Sequence, residues 1–226
     1  MDGNTEKVRK IGVFGGTFDP VHEGHLSAAR DVLAGYRLDR LLFIPAAYPP
    51  HKRQPAAAYS HRVAMLELAL AGRPRMSISL LEAERQAPSY TVDTLRELRT
   101  RLGPQEFYLI IGADSFRELH LWYRYADLLR LADFVVVARP GVPAVDLAEA
   151  VALMPGHFNF DERRQAWCRD DGARIFYFAD AHSGVSSSEV RKRLARGEPV
   201  ETLLPPAVLH YIKLHGLYGV NSSLTG

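Results

Sequence analysis

The 226-residue chain has one cysteine, no long apolar run and no excess of either charge. A single thiol, Cys168, closes no intrachain disulfide and cannot supply a zinc site that needs two cysteines. It fits a reducing compartment, so the chain is read as cytoplasmic, with Cys168 a packed or partly exposed thiol rather than a nucleophile. No stretch approaches the roughly 18 apolar residues of a membrane span. The opening MDGNTEKVRK has no apolar core of a secretory signal, and no membrane partner is expected. Lys plus Arg number 28 against 26 Asp plus Glu, a formal charge of +2. That balance argues against a polynucleotide partner, which usually demands a basic excess. A small anion needs only a few local cations. With 47% hydrophobic and 24% charged residues, disorder over most of the chain is excluded and a sizeable core is within reach.

Short apolar runs alternate with amphipathic stretches. Residues 10–14, 41–45, 76–81, 106–111, 134–138 and 174–178 read as strands, several apolar at consecutive positions as in a sheet covered on both faces. Between them, 62–70 places Val63, Leu66 and Leu70 on one helical face, and 92–102 does the same with Val92, Leu95, Leu98 and Leu102. Residues 125–131 and 145–153 behave alike. This alternation predicts an α/β fold with a doubly wound, mostly parallel, Rossmann-like sheet. Ser186 and Glu189 carry a capping-box spacing ahead of a short helix that Gly197 ends. Pro205 and Pro206 open a second, with Val208, Tyr211, Ile212 and Leu214 at helical spacing. The expected organisation is a core over 1–183, a small helical C-terminal subdomain over 184–220 and a frayed tail over 221–226.

The most informative segment is Gly15-Gly16-Thr17-Phe18-Asp19-Pro20-Val21-His22-Glu23-Gly24-His25. It follows a predicted strand and opens a helix. The glycines let backbone approach a ligand closely, and free N–H groups ahead of a helix attract anions. His22 and His25 lie three residues apart, so in a first helical turn they share a face. Taken singly, a Gly-Gly turn or a histidine pair is most often structural; their order and context make the combination specific. The segment is neither a Walker A loop nor Gly-x-Gly-x-x-Gly. Two imidazoles without a third ligand at fixed spacing suit a phosphate better than zinc, and no metal site in the protein is expected. The stretch 154–173 is polar and aromatic and reads as a surface excursion without an assigned role.

This segment resembles the opening motif of the HxGH nucleotidyltransferase superfamily. The resemblance runs along the chain through Pro49-Pro50-His51-Lys52, Ser89-Tyr90-Thr91-Val92-Asp93-Thr94, Ile110-Ile111-Gly112-Ala113-Asp114-Ser115, Arg139-Pro140-Gly141, Val185-Ser186-Ser187-Ser188-Glu189-Val190-Arg191 and Tyr211-Ile212-Lys213-Leu214-His215-Gly216-Leu217-Tyr218. As a set these look like the bacterial nicotinate-nucleotide adenylyltransferase family. The resemblance implies adenylyl transfer from ATP to nicotinate mononucleotide, releasing pyrophosphate, with Mg²⁺ arriving on ATP rather than in a protein cage. It implies that His22, His25, Lys52 and Arg191 carry the chemistry. ATP is expected against Gly15, Gly16, Thr17, His22, His25, Gly112, Asp114, Arg139, Ser186, Ser187 and Arg191. The mononucleotide is expected against Phe18, Lys52, Tyr90, Thr91, Trp122 and Tyr123, with Trp122 stacking on the ring and backbone N–H groups near Thr91 and Tyr123 receiving its carboxylate. Nicotinamide mononucleotide as the acceptor, and a non-catalytic nucleotide sensor, remain the competing readings. A homo-oligomer is compatible with the sequence.

Overall fold

The structure is a computed structural model and describes residues 8–49, 54–85, 87–138, 145–179 and 185–220. Elements follow in chain order as β1 (Lys10–Gly16), α1 (Glu23–Gly35), β2 (Arg40–Pro45), α2 (Tyr59–Leu70), β3 (Met76–Ile78), α3 (Leu81–Glu84), α4 (Thr91–Leu102), β4 (Glu106–Gly112), α5 (Ala113–Arg117), α6 (Tyr125–Leu131), β5 (Asp133–Val137), α7 (Val145–Ala152), β6 (Asn159–Asp161), β7 (Ala166–Cys168), β8 (Arg174–Phe178), α8 (Ser187–Arg196) and α9 (Pro206–Leu214). Among the described residues the strands form one sheet in the order β3-β2-β1-β4-β5-β8-β7-β6. The pairs from β3 to β8 are parallel, and β6 and β7 add an antiparallel edge.

Side-chain alternation along the strands explains the layering. In β2, Leu41 and Phe43 join α1, α2, α8 and α9 in one core, while Leu42 and Ile44 join α4 to α7 in the other. In β5, Val135 and Val137 face the first layer, and Phe134 and Val136 the second. With both faces covered, strands need apolar residues at every position, which is why they were legible as continuous runs. The chain reverses its direction of winding between the paired strands β1 and β4, so the helices that follow them, α1 and α5, lie on opposite faces and leave a crevice at the carboxyl ends.

Three details differ from the sequence reading. Residues 154–173 hold β6 and β7, a hairpin whose turn is held by Asp161 accepting the Arg163 and Arg164 N–H groups at 2.9 and 3.1 Å. The third strand ends at Ile78, because α3 begins at Leu81. The buried stripe of α2 is Arg62, Met65, Leu66, Ala69 and Leu70, with Val63 only half-buried, so an arginine takes the place given to valine. The terminal helices behave as their caps suggest: the Ser186 hydroxyl accepts the Glu189 N–H at 3.2 Å, and Gly197 takes the left-handed conformation (φ 67°) that ends α8. The Glu189 carboxylate, however, takes Arg193 Nε at 2.8 Å, so the capping box is half-formed. Among the described residues no helix is long and apolar enough to cross a membrane.

Candidate active site

Two adjoining cavities occupy the crevice. Phe14, Gly15, Gly16, Thr17, Gly112 and Ser115, from the ends of β1 and β4 and the start of α5, line both. A Cβ on Gly15 would meet no protein atom within 4 Å, so the space above it belongs to the cavities. A Cβ on Gly16 would lie 3.0 Å from the Phe18 ring. The second glycine is therefore needed for packing, and the first gives a ligand access to backbone.

The larger cavity, about 690 Å³, is walled by His22, His25, residues 54–56, Val137, Ala138, residues 185–188 and Arg191. His22 is the N-cap of α1 and His25 its third residue. The His22 N–H donates to His25 Nδ1 at 3.3 Å, and the two rings stack with centroids 3.7 Å apart. A neutral His25 ring that accepts at Nδ1 carries its proton on Nε2. Phe18, 1% exposed, supports His25 edge-on at 5.0 Å. Its backbone is left-handed (φ 49°), strain that persists only because packing fixes the ring.

The N-terminus of α8 meets the first motif. Ser187 Oγ donates to Pro20 O at 3.0 Å, Arg191 Nη1 to Asp19 O at 2.6 Å, and Arg191 Nη2 to Ser188 Oγ at 3.3 Å. A helix N-terminus, an arginine and two imidazoles thus face one volume, an arrangement that attracts a polyanion.

The smaller cavity, about 370 Å³, is lined by Ile44, Ala46, Pro49, Glu82, Ser89, Tyr90, Thr91, Trp122 and Tyr123 besides the shared residues. Tyr90 and Tyr123 lie 4.5 Å apart, ring to ring. Tyr90 is the N-cap of α4, and among the described residues no side chain caps this helix, so its first turn presents uncapped N–H groups beside the aromatic walls. The buried Glu82 carboxylate accepts the Thr94 hydroxyl at 2.6 Å and ties α3 to that turn. Ser89 and Tyr48 exchange hydrogen bonds, Ser89 N–H to Tyr48 O at 2.9 Å and Tyr48 N–H to Ser89 Oγ at 3.0 Å, and so fix the mouth.

Of the residues singled out by sequence, Gly15, Gly16, Thr17, His22, His25, Gly112, Ser186, Ser187 and Arg191 converge on the larger cavity. Tyr90, Thr91, Trp122 and Tyr123 converge on the smaller one. Two depart. Phe18 borders the larger cavity and not the smaller, because its ring is spent supporting His25. Asp114 is exposed in the first turn of α5 and lines neither, whereas Ser115 lines both. Lys52 and Arg139 lie outside the described residues; Gln54 and Ala138 nearby line the larger cavity.

Sequence reasoning missed Asp19 and Arg62. Arg62 is 1% exposed and donates to Thr17 O at 2.7 Å and Ala46 O at 2.9 Å, tying the carboxyl ends of β1 and β2 together. Burial holds its guanidinium below the usual pKa, and nearby Asp19 opposes that shift. An arginine inside an apolar helical stripe was the signal that could have found it. Among the described residues no group of three or more His, Cys, Asp and Glu is disposed to hold a metal ion.

A doubly wound sheet with an anion-attracting cavity beside an aromatic one at its switch point defines a nucleotide-binding α/β protein. The chain belongs to the cytidylyltransferase-like family, whose model matches residues 13–193. It is 40% identical over 211 residues to a protein of Syntrophotalea carbinolica named as a probable nicotinate-nucleotide adenylyltransferase, covering 92% of this chain and 97% of that one. A protein of Geobacillus thermodenitrificans with the same name is 38% identical over 216 residues, covering 95% of this chain and 88% of that one. Among solved structures, nicotinic acid mononucleotide adenylyltransferase of Plasmodium falciparum in complex with NaAD has the same fold, with a TM-score of 0.73, 18% identity and coverage of 94% and 98%.

Proposed function

We propose that the protein transfers the adenylyl group of ATP to nicotinate mononucleotide, giving nicotinate adenine dinucleotide and pyrophosphate. The observation that carries this reading is the pair of cavities joined over Gly15, one walled by stacked imidazoles and the α8 N-terminus, the other by Trp122 and the uncapped start of α4. The names borne by relatives at about 40% identity over nearly their whole length support it.

In this reading an ionised phosphate oxygen of the mononucleotide attacks the α-phosphorus of ATP. The bond from that phosphorus to the bridging oxygen breaks, and pyrophosphate leaves with the electron pair. The nucleophile is already charged, so no side-chain base or covalent intermediate is required. The work is positioning two anions and neutralising the charge that builds on the transferred phosphoryl oxygens. His22, His25 and Arg191 do this from the larger cavity, joined by Lys52, and Ser186 and Ser187 with the α8 dipole hold the departing pyrophosphate. Residues 184–220 act as a helical subdomain that completes this site. Mg²⁺ enters as part of the Mg·ATP substrate.

Trp122 stacks on the electron-poor pyridinium ring, and the first N–H groups of α4 receive its carboxylate. A carboxylate accepts several N–H bonds, whereas an amide turns an NH₂ toward at least one donor. The acid is therefore the acceptor. The test is incubation of the purified chain with Mg·ATP and nicotinate mononucleotide. Equimolar pyrophosphate and nicotinate adenine dinucleotide are expected, and ATP binding without either product would refute the reading in favour of a non-catalytic sensor.

A further inference from the structure

Asp19 lines the larger cavity, and both of its carboxylate oxygens are engaged. Its Oδ2 accepts the Ala56 N–H at 2.7 Å, and its Oδ1 accepts the Ala57 N–H at 3.1 Å and the Tyr218 hydroxyl at 2.7 Å. Its carbonyl oxygen accepts Arg191 Nη1 at 2.6 Å, and the same Nη1 stands 3.9 Å from Oδ2. One buried residue therefore fixes both the backbone at Ala56 and Ala57, which sets the 54–56 wall of the cavity, and the arginine that lines the same cavity. With three donors on the carboxylate, its chemistry is positional.

The third donor comes from the far end of the chain. Tyr218 sits in a single turn, Leu217–Gly219, that packs against α8. Both Gly216 (φ 57°) and Tyr218 (φ 60°) are left-handed there. For glycine that conformation is ordinary, but for tyrosine it costs free energy that something must offset. The phenol reaches inward to Asp19 and lines neither cavity. The strained turn and the Tyr218–Asp19 bond have one consequence, which is to set Asp19.

We propose that Tyr218 is a positioning residue for the triphosphate half of the site: through Asp19 it holds Arg191 and the 54–56 wall in the geometry that receives ATP. The proposal rests on the adenylyl-transfer reading for the identity of the ligand. Removing the hydroxyl leaves Asp19 with its two amide donors, so the fold survives while the carboxylate can turn. Tyr218→Phe then weakens Mg·ATP binding about three- to tenfold and raises KM for ATP in parallel. KM for nicotinate mononucleotide stays within about twofold, because the smaller cavity shares no residue with this network.

The experiment is calorimetry of full-length wild type, Tyr218→Phe, Asp19→Asn and the double variant with Mg·ATP, alongside steady-state kinetics in both substrates and thermal melts. Asp19→Asn is expected to weaken ATP binding at least as much as Tyr218→Phe, and the double variant to match Asp19→Asn within about twofold, since both act on one element. Wild-type ATP affinity in Tyr218→Phe overturns the proposal. So does a rise in both KM values together with a lowered melting point, or a double variant whose losses multiply. Wild type that binds Mg·ATP but makes no dinucleotide refutes the proposed function alone, and the calorimetric comparison still tests Tyr218.

Discussion

Replacing Arg62 by Met tests how the crevice is built. Arg62 is 1% exposed, and its guanidinium donates to Thr17 O and Ala46 O. A methionine fills much of the same volume but donates nothing, so both carbonyls lose a charged partner. Hydrogen bonds to charged groups contribute about 1.5–3 kcal/mol each, giving about 3–6 kcal/mol for the pair. Part of this is returned because a buried charge no longer has to be desolvated. A net loss of about 2–4 kcal/mol is expected. At roughly 2–4 °C per kcal/mol for a chain of this size, the melting point falls by about 5–15 °C. Arg62→Lys keeps the charge without the planar fork and cannot reach both carbonyls in the same geometry, so it loses at least half as much. Urea denaturation by circular dichroism reads the stability. Turnover well below the midpoint reads the site, and it should fall because Thr17 borders both cavities. A loss under about 0.5 kcal/mol with unchanged turnover would show that Arg62 does not organise the crevice.

Two further outcomes follow from the same geometry. His25→Ala should lower kcat about 10²–10³-fold while the far-ultraviolet spectrum and melting point stay near wild type; a fully active variant would remove His25 from the chemistry. Burial pushes the phenols of Tyr36 and Tyr108 up to about 12. The unfolded chain releases these protons near 10, so the native state binds more protons between those values and stability falls as pH rises from about 10 to about 12. Denaturation midpoints across that window, compared with Tyr36→Phe, measure the effect; an undiminished midpoint at pH 11.5 would contradict it.

How far the sequence could be read depended on how locally each feature was encoded. The parallel strands of the central sheet stood out because burial on both faces leaves apolar residues such as Phe134, Val135, Val136 and Val137 in unbroken runs. The β6–β7 hairpin did not, because its strands are three residues each and Phe160 faces solvent, so no periodicity distinguishes them. The histidine pair, the α8 serines and Trp122 were legible as motifs, and their convergence on two cavities required the fold. Arg62 was hidden because charged residues near an amphipathic face are ordinarily solvent-exposed. The Asp19–Tyr218 bond joins residues 199 positions apart, and no local pattern marks it.

The central claim is that the smaller cavity selects a carboxylate-bearing pyridine nucleotide as the adenylyl acceptor. The most direct test is kcat/KM for nicotinate mononucleotide and nicotinamide mononucleotide, measured side by side under saturating Mg·ATP. If the uncapped α4 turn receives the substrate carboxylate beside Trp122, the acid is favoured at least about a hundredfold, since an amide leaves a site donor unpaired. Equal rates, or a preference for the amide, would contradict the account.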